Sequence, residues 1–152
     1  MVKLKQALQE NGLSLPQAPT PVGAYQATLQ TGNIVYVSGQ LPFKNGSLLY
    51  KGQIGKNLTV REGYAAAELS ALNLLSQLES HLNTNTLKQI IKIEGLINCD
   101  VMFEAHAEVL NGASNLLSTL LAERAGHVRT VMGCSSLPLN AAIELSAIIE
   151  LE

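Results

Sequence analysis

The chain has 152 residues, enough for one domain, residues 1–152, with a proper hydrophobic core. Charged side chains make up 14% and apolar ones 47%. The charged share lies well below the roughly 25% of ordinary soluble domains, so extra apolar surface is expected to be buried in an oligomer. No apolar run approaches the roughly 18 residues of a membrane helix, and a net charge of −2 gives no general pull towards nucleic acid or acidic membranes.

The elements are read in chain order. MVKLKQALQENG is basic, then polar, and lacks the apolar core of a secretory leader, so the expected location is the cytoplasm. Val2–Gln9 carries Val2, Leu4, Ala7 and Leu8 among good helix formers, and Asn11-Gly12 stops it. Residues 1–18 are thus a short helix and an arm ahead of the main fold. The following LSLPQAPTPVG holds three prolines and is expected to lie extended on the surface. Tyr25–Gln30 and Asn33–Ser38 predict a hairpin turning at Thr31-Gly32. Its second strand ends in Ser38-Gly39, where bare backbone can approach a neighbour closely. Ser47–Lys51 is expected as a short edge strand and Gly52–Asn57 as a loop.

A long helix is predicted from Thr59 to His81, opened by a Thr59-x-x-Glu62 capping box and closed around Asn83–Asn85. Gln89–Asn98, rich in Ile, predicts a central strand. Phe103–Arg124 predicts a second helix, with Asn111-Gly112-Ala113-Ser114 near its start or breaking it. Val128–Cys134 and Ala142–Glu150 predict two strands joined by a loop containing Pro138. The order implies an α+β domain, a sheet with two helices on one face. The other face, apolar and uncovered, then needs a partner.

Two charges sit inside these last strands, Arg129 and Glu144. A charge in a strand core is expensive unless it is paired or used. Two readings stay open: a structural ion pair across neighbouring strands, or a ligand site. Tyr25 is by default a core residue. His81, His106 and His127 have no ligand spacing with one another or with Cys99 and Cys134, so no metal is expected. The cysteines make no disulfide framework and are expected reduced and buried. His127 draws notice because it lies two residues from Arg129. Ser38 has no Gly-x-Ser-x-Gly context, and no nucleophile–base set is visible. Lys51, Lys56 and Arg61 form a loose positive cluster without interleaved aromatics, a solvated face rather than an RNA site.

Gly23-Ala24-Tyr25, VSGQLP at Val37–Pro42, Asn111, Arg129 and LP…IEL at Leu137–Leu145 together resemble the RidA/YjgF family of reactive intermediate deaminases, over most of Pro19 to Leu151. The resemblance implies a chorismate-mutase-like mixed sheet, three subunits packing their sheets into a barrel, and ligand clefts at the subunit interfaces. It implies hydrolysis of 2-imino and enamine acids to 2-keto acids with release of ammonia. By position, Arg129 corresponds to the carboxylate-binding Arg and Glu144 to the acidic residue that holds the attacking water. Tyr25, Ser38, Gly39 and Asn111 match other pocket-lining positions. Ala24 replaces the family's Pro, His127 precedes Val128, Val131 stands where a cysteine is common, and the arm and the loop before the first long helix are longer. These are features of a longer-chain branch.

The residue types suit that chemistry. A planar guanidinium grips a carboxylate through two parallel hydrogen bonds, which Lys cannot copy. An imine hydrolyses readily, so a carboxylate that orients a water, with backbone N–H groups near Gly39, is enough machinery without metal or cofactor. The competing expectation is a trimeric protein that binds small carboxylate metabolites in the same clefts without chemistry. Ribonuclease activity, also claimed within the family, sits badly with the acidic net charge.

Overall fold

The structure, a computed structural model, describes residues 4–82 and 86–152. Helix α1 is Leu4–Glu10, so Val2 of the expected helix lies outside the described residues, as do Asn83–Asn85. Leu4, Ala7 and Leu8 are buried, and the helix packs on α3 (His106–Leu121). Gly12 takes φ 64° just past its end, the left-handed position a helix stop requires.

The proline-rich arm is extended, and α2 (Val60–His81) holds it. Ser76 Oγ donates to Pro16 O at 2.6 Å, and Gln77 Nε2 donates to Pro19 O at 2.6 Å. Those polar side chains are buried because the arm, which forms no ladder of its own, leaves carbonyls for them to satisfy.

Strands β1 (Thr28–Thr31) and β2 (Ile34–Gln40) form the expected hairpin, turning at Gly32-Asn33. β1 starts later than predicted: Tyr25 N–H bonds to Gly23 O at 2.9 Å, which holds Tyr25 in a turn. β3 (Phe43–Lys44) and β4 (Ser47–Leu48) pair about Asn45-Gly46, both with positive φ. The expected strand to Lys51 stops early because Tyr50 turns left-handed, φ 56°, leaving Lys51 a single bridge to Ala141.

Thr59 caps α2 as predicted: its side chain accepts from Glu62 N–H, and Glu62 reaches back to Thr59 N–H at 2.7 Å. β5 runs Leu87–Asn98. α3 begins after Phe103 because Asp100 organises a turn first. Its carboxylate accepts from Met102 N–H at 2.9 Å and its carbonyl from Phe103 N–H at 3.0 Å. Gly112 does not break α3. It lets α3 lie against α2, since a Cβ there would stand 2.2 Å from Tyr64 O. A 3-10 turn, Ala122–Ala125, leads to β6 (Val128–Cys134) and then β7 (Ile143–Leu151).

The five-stranded sheet has the order β1-β2-β7-β5-β6, parallel only between β5 and β6. Strict alternation in β7 sends Ile143, Leu145, Ala147 and Ile149 into a core shared with α2 and α3. The fold is thus the α+β arrangement expected, a mixed sheet with its two long helices on one face. The open face differs from expectation in character. Tyr36, Val128 and Met132 are exposed there, but Lys92 and Glu94, ion-paired at 2.6 Å, and Thr130 share it. It is a mixed surface, not an apolar one.

Candidate functional site

The ladder between β2 and β7 is interrupted between Val37 and Gln40, so Ser38-Gly39 bulges out of register. Glu144, one residue into β7, points to the open face and fills the space a side chain at residue 39 would take. A Cβ on Gly39 would lie 2.1 Å from Glu144 Oε1. Glu144 is half-buried, and its carboxylate makes no salt bridge among the described residues. Burial pushes its carboxyl above the usual carboxylate range. It faces a hollow of about 220 Å³ shared with Gly39, Glu94, Leu96, Thr130 and Met132.

Gly39 also borders the recess that holds Tyr25 and Gln77. Tyr25 is half-exposed, not core, and its hydroxyl accepts from Val22 N–H at 3.4 Å. Ser38 has a tying role: its hydroxyl donates to Gln26 O at 2.6 Å and its N–H to Ala27 O at 2.9 Å. Tyr25, Ser38, Gly39 and Glu144 therefore form one group, strung along the bulge.

Arg129 and Asn111 form a second. Arg129 pairs in register with Ile93, so it points to the helix side of the sheet. Its Nη1 donates to Ser114 Oγ at 3.1 Å and its Nη2 to Ala107 O at 3.3 Å. Ala107, Asn111 and Ser114 recur at helical spacing on one stripe of α3. A guanidinium that bonds the first and the last of these passes the half-buried Asn111 between them.

The ion-pair reading of Arg129 and Glu144 is overturned. β6 and β7 are not neighbours, since β5 lies between them, and the two side chains leave opposite faces of the sheet. Strand alternation alone could not show this, because the relative faces of two strands depend on their register with a third.

Sequence reasoning missed Ser114. Its hydroxyl lies 2.9 Å from His127 Nε2, and His127 Nδ1 meets Ala125 O. The one advance signal was the two-residue spacing of His127 and Arg129. Glu94 and Thr130 were also missed, although β5 and β6 alternation carries both to the open face. Cys99 is buried but Cys134 only half-buried, both are free thiols, and burial raises both above the usual thiol range. Among the described residues no group of three or more His, Cys, Asp or Glu is placed to hold a metal ion, and no helix is long and apolar enough to cross a membrane.

The profile of the family described as "YjgF/chorismate_mutase-like, putative endoribonuclease" matches residues 5–151. Protein TCP17 of Trypanosoma cruzi is 37% identical over 146 residues, covering 95% of this chain and 91% of its own. A 2-iminobutanoate/2-iminopropanoate deaminase of Dermatophagoides farinae is 25% identical over 145 residues, 92% of this chain and 95% of its own. A crystal structure of "a putative endoribonuclease" from Shewanella oneidensis superposes with a TM-score of 0.96 at 34% identity, covering 99% of this chain and 100% of that one. With its profile match over residues 5–151, nearly the whole chain, this protein belongs to the YjgF/RidA family.

Proposed function

We propose that this protein hydrolyses small 2-imino acids to 2-keto acids and ammonia, in sites completed between copies of the chain. The observation that carries the reading is the division of the site. Arg129 and Asn111 offer a carboxylate grip at one edge of the sheet, and Glu144 beside Gly39 offers a proton acceptor on the opposite face. Neither group is complete alone, and a symmetric oligomer that sets the edge of one copy against the open face of the next joins them. The deaminase from Dermatophagoides farinae supports the reaction class.

In this scheme Arg129 takes the carboxylate through two parallel N–H···O bonds and leaves the adjacent C=N carbon electrophilic. Glu144 accepts a proton from a water as its oxygen bonds to that carbon and the C=N pair moves to nitrogen. The proton then passes to that nitrogen, giving the amino group of the carbinolamine. As the C–N bond breaks, the hydroxyl proton follows to the nitrogen and the C=O closes, so ammonia leaves. A carboxyl raised by burial is a stronger base than a solvated one, which suits it to this exchange.

The test is ammonia release from an imine generated in situ by an amino-acid oxidase. The wild type is expected to accelerate it over buffer, and Glu144→Gln to lose about 10²–10⁴-fold, the span of general base catalysis. If the wild type gives no acceleration yet binds 2-keto acids through Arg129, the protein is a carboxylate-binding protein instead.

A further inference from the structure

We propose that Ser114 and His127 are positioning residues for Arg129: they hold its guanidinium in one orientation and so set the selectivity of the site for carboxylates. The inference rests on the proposed carboxylate role of Arg129 and adds how this chain builds it.

With a neutral His127 ring, the hydrogen-bonding roles along the chain of contacts follow one by one. The Ala125 carbonyl can only accept, so the His127 Nδ1 that meets it carries the ring hydrogen. In the neutral ring Nε2 is then bare and accepts, so the Ser114 hydroxyl at 2.9 Å donates to it. With its hydrogen committed, Ser114 Oγ turns a lone pair to Arg129 Nη1 at 3.1 Å, and a guanidinium can only donate. Ala107 O takes a second N–H from Nη2 at 3.3 Å. Two of the guanidinium's N–H groups are thus anchored on α3, and the others remain for a ligand.

The anchor is needed because Arg129 stands on an edge strand. β6 has a neighbour, β5, on one side only. A long side chain there would otherwise have to be ordered at binding, which is an entropic penalty. Fixing it beforehand removes that penalty, and fixing its plane favours a planar, two-oxygen partner over a neutral amide. The elements that meet this point are α3, through Ala107 and Ser114, and the turn before β6, through Ala125 and His127. Among the described residues no carboxylate pairs with Arg129, so none of them competes with the ligand for the anchored guanidinium.

The experiment compares binding of pyruvate and of its neutral amide by calorimetry in the wild type, Ser114→Ala, Ser114→Thr, His127→Gln, His127→Phe and Arg129→Ala. The expected result is that Ser114→Ala and His127→Phe each weaken pyruvate roughly tenfold, the size of one lost charged hydrogen bond, without weakening the amide. Ser114→Thr, which keeps the hydroxyl, and His127→Gln, which keeps a donor and an acceptor, should restore most of the preference. If all the variants melt alike and Ser114→Ala and His127→Phe keep wild-type preference while Arg129→Ala loses it, the positioning role is overturned and the carboxylate role stands. If Arg129→Ala also keeps the preference, the carboxylate reading itself fails. Equal weakening of both ligands in Ser114→Ala and His127→Phe, unrescued by Ser114→Thr, would mean a structural role only and would also overturn the proposal.

Discussion

Gly39 and Glu144 occupy one another's space: the absence of a side chain on the first is what lets the second fold back over the bulge, with Oε1 only 2.1 Å from where a Cβ would be. The atoms that clash belong to the outer part of a flexible side chain. Gly39→Ala should therefore leave the fold intact and push the Glu144 carboxylate out of the hollow. A misplacement of about 1 Å costs on the order of 10²-fold in rate. Ammonia release should fall by that order while 2-keto acid binding persists. Unchanged activity would show that the Glu144 position does not matter to the reaction.

At Arg129, substitution should act on affinity. Arg129→Ala should abolish binding of small 2-keto acids, a loss of about 2–4 kcal/mol for a charge-assisted two-point contact. Arg129→Lys keeps the charge but cannot reach Ser114 Oγ and Ala107 O together, so it should weaken binding strongly. Calorimetry giving wild-type affinity for Arg129→Ala would place the ligand elsewhere.

Glu144 carries a stability signature as well. Burial raises its carboxyl, so the folded chain holds that proton more tightly than the unfolded chain does. Stability from this group is full below the usual carboxylate range and declines as pH rises through the raised folded value. Glu144→Gln, neutral throughout, should melt higher than the wild type near neutral pH, and the gap should close as pH falls below about 4. A gap independent of pH would mean that the carboxylate is not desolvated.

The proposed sharing of the site between copies of a trimer is tested by mixing. Arg129→Ala and Glu144→Gln should each be inactive alone. Unfolded together and refolded as mixed trimers, they should recover activity at about a quarter of the sites, the share in which an intact Arg129 meets an intact Glu144 from the next copy. No recovery, or a monomer by sedimentation at micromolar concentration, would sink the shared site.

The α2–α3 crossing offers a separate test of packing. Gly112→Ala puts a methyl 2.2 Å from the Tyr64 carbonyl oxygen, which belongs to backbone and cannot swing away. Overpacking of this kind costs about 1–3 kcal/mol. Urea unfolding should show a lower midpoint with the slope unchanged.

Much of this protein is local physics and could be read from the chain directly. The Thr59–Glu62 capping box, the alternation of Ile143 to Ile149, the turn at Gly32 and the extended proline arm each depend on neighbours a few residues away. The resemblance added which side chains to watch. What the chain order could not convey was how those side chains meet. β6 and β7 follow one another in sequence, yet β5 is inserted between them, and parallel register with β5 turns Arg129 to the helices while antiparallel register turns Glu144 away from them. A shift of one residue in either ladder would reverse the face. The start of α3, the end of β4 and the Ser114–His127 contact are of the same kind, because each is decided by a hydrogen bond or a left-handed residue whose benefit exists only once distant segments have packed.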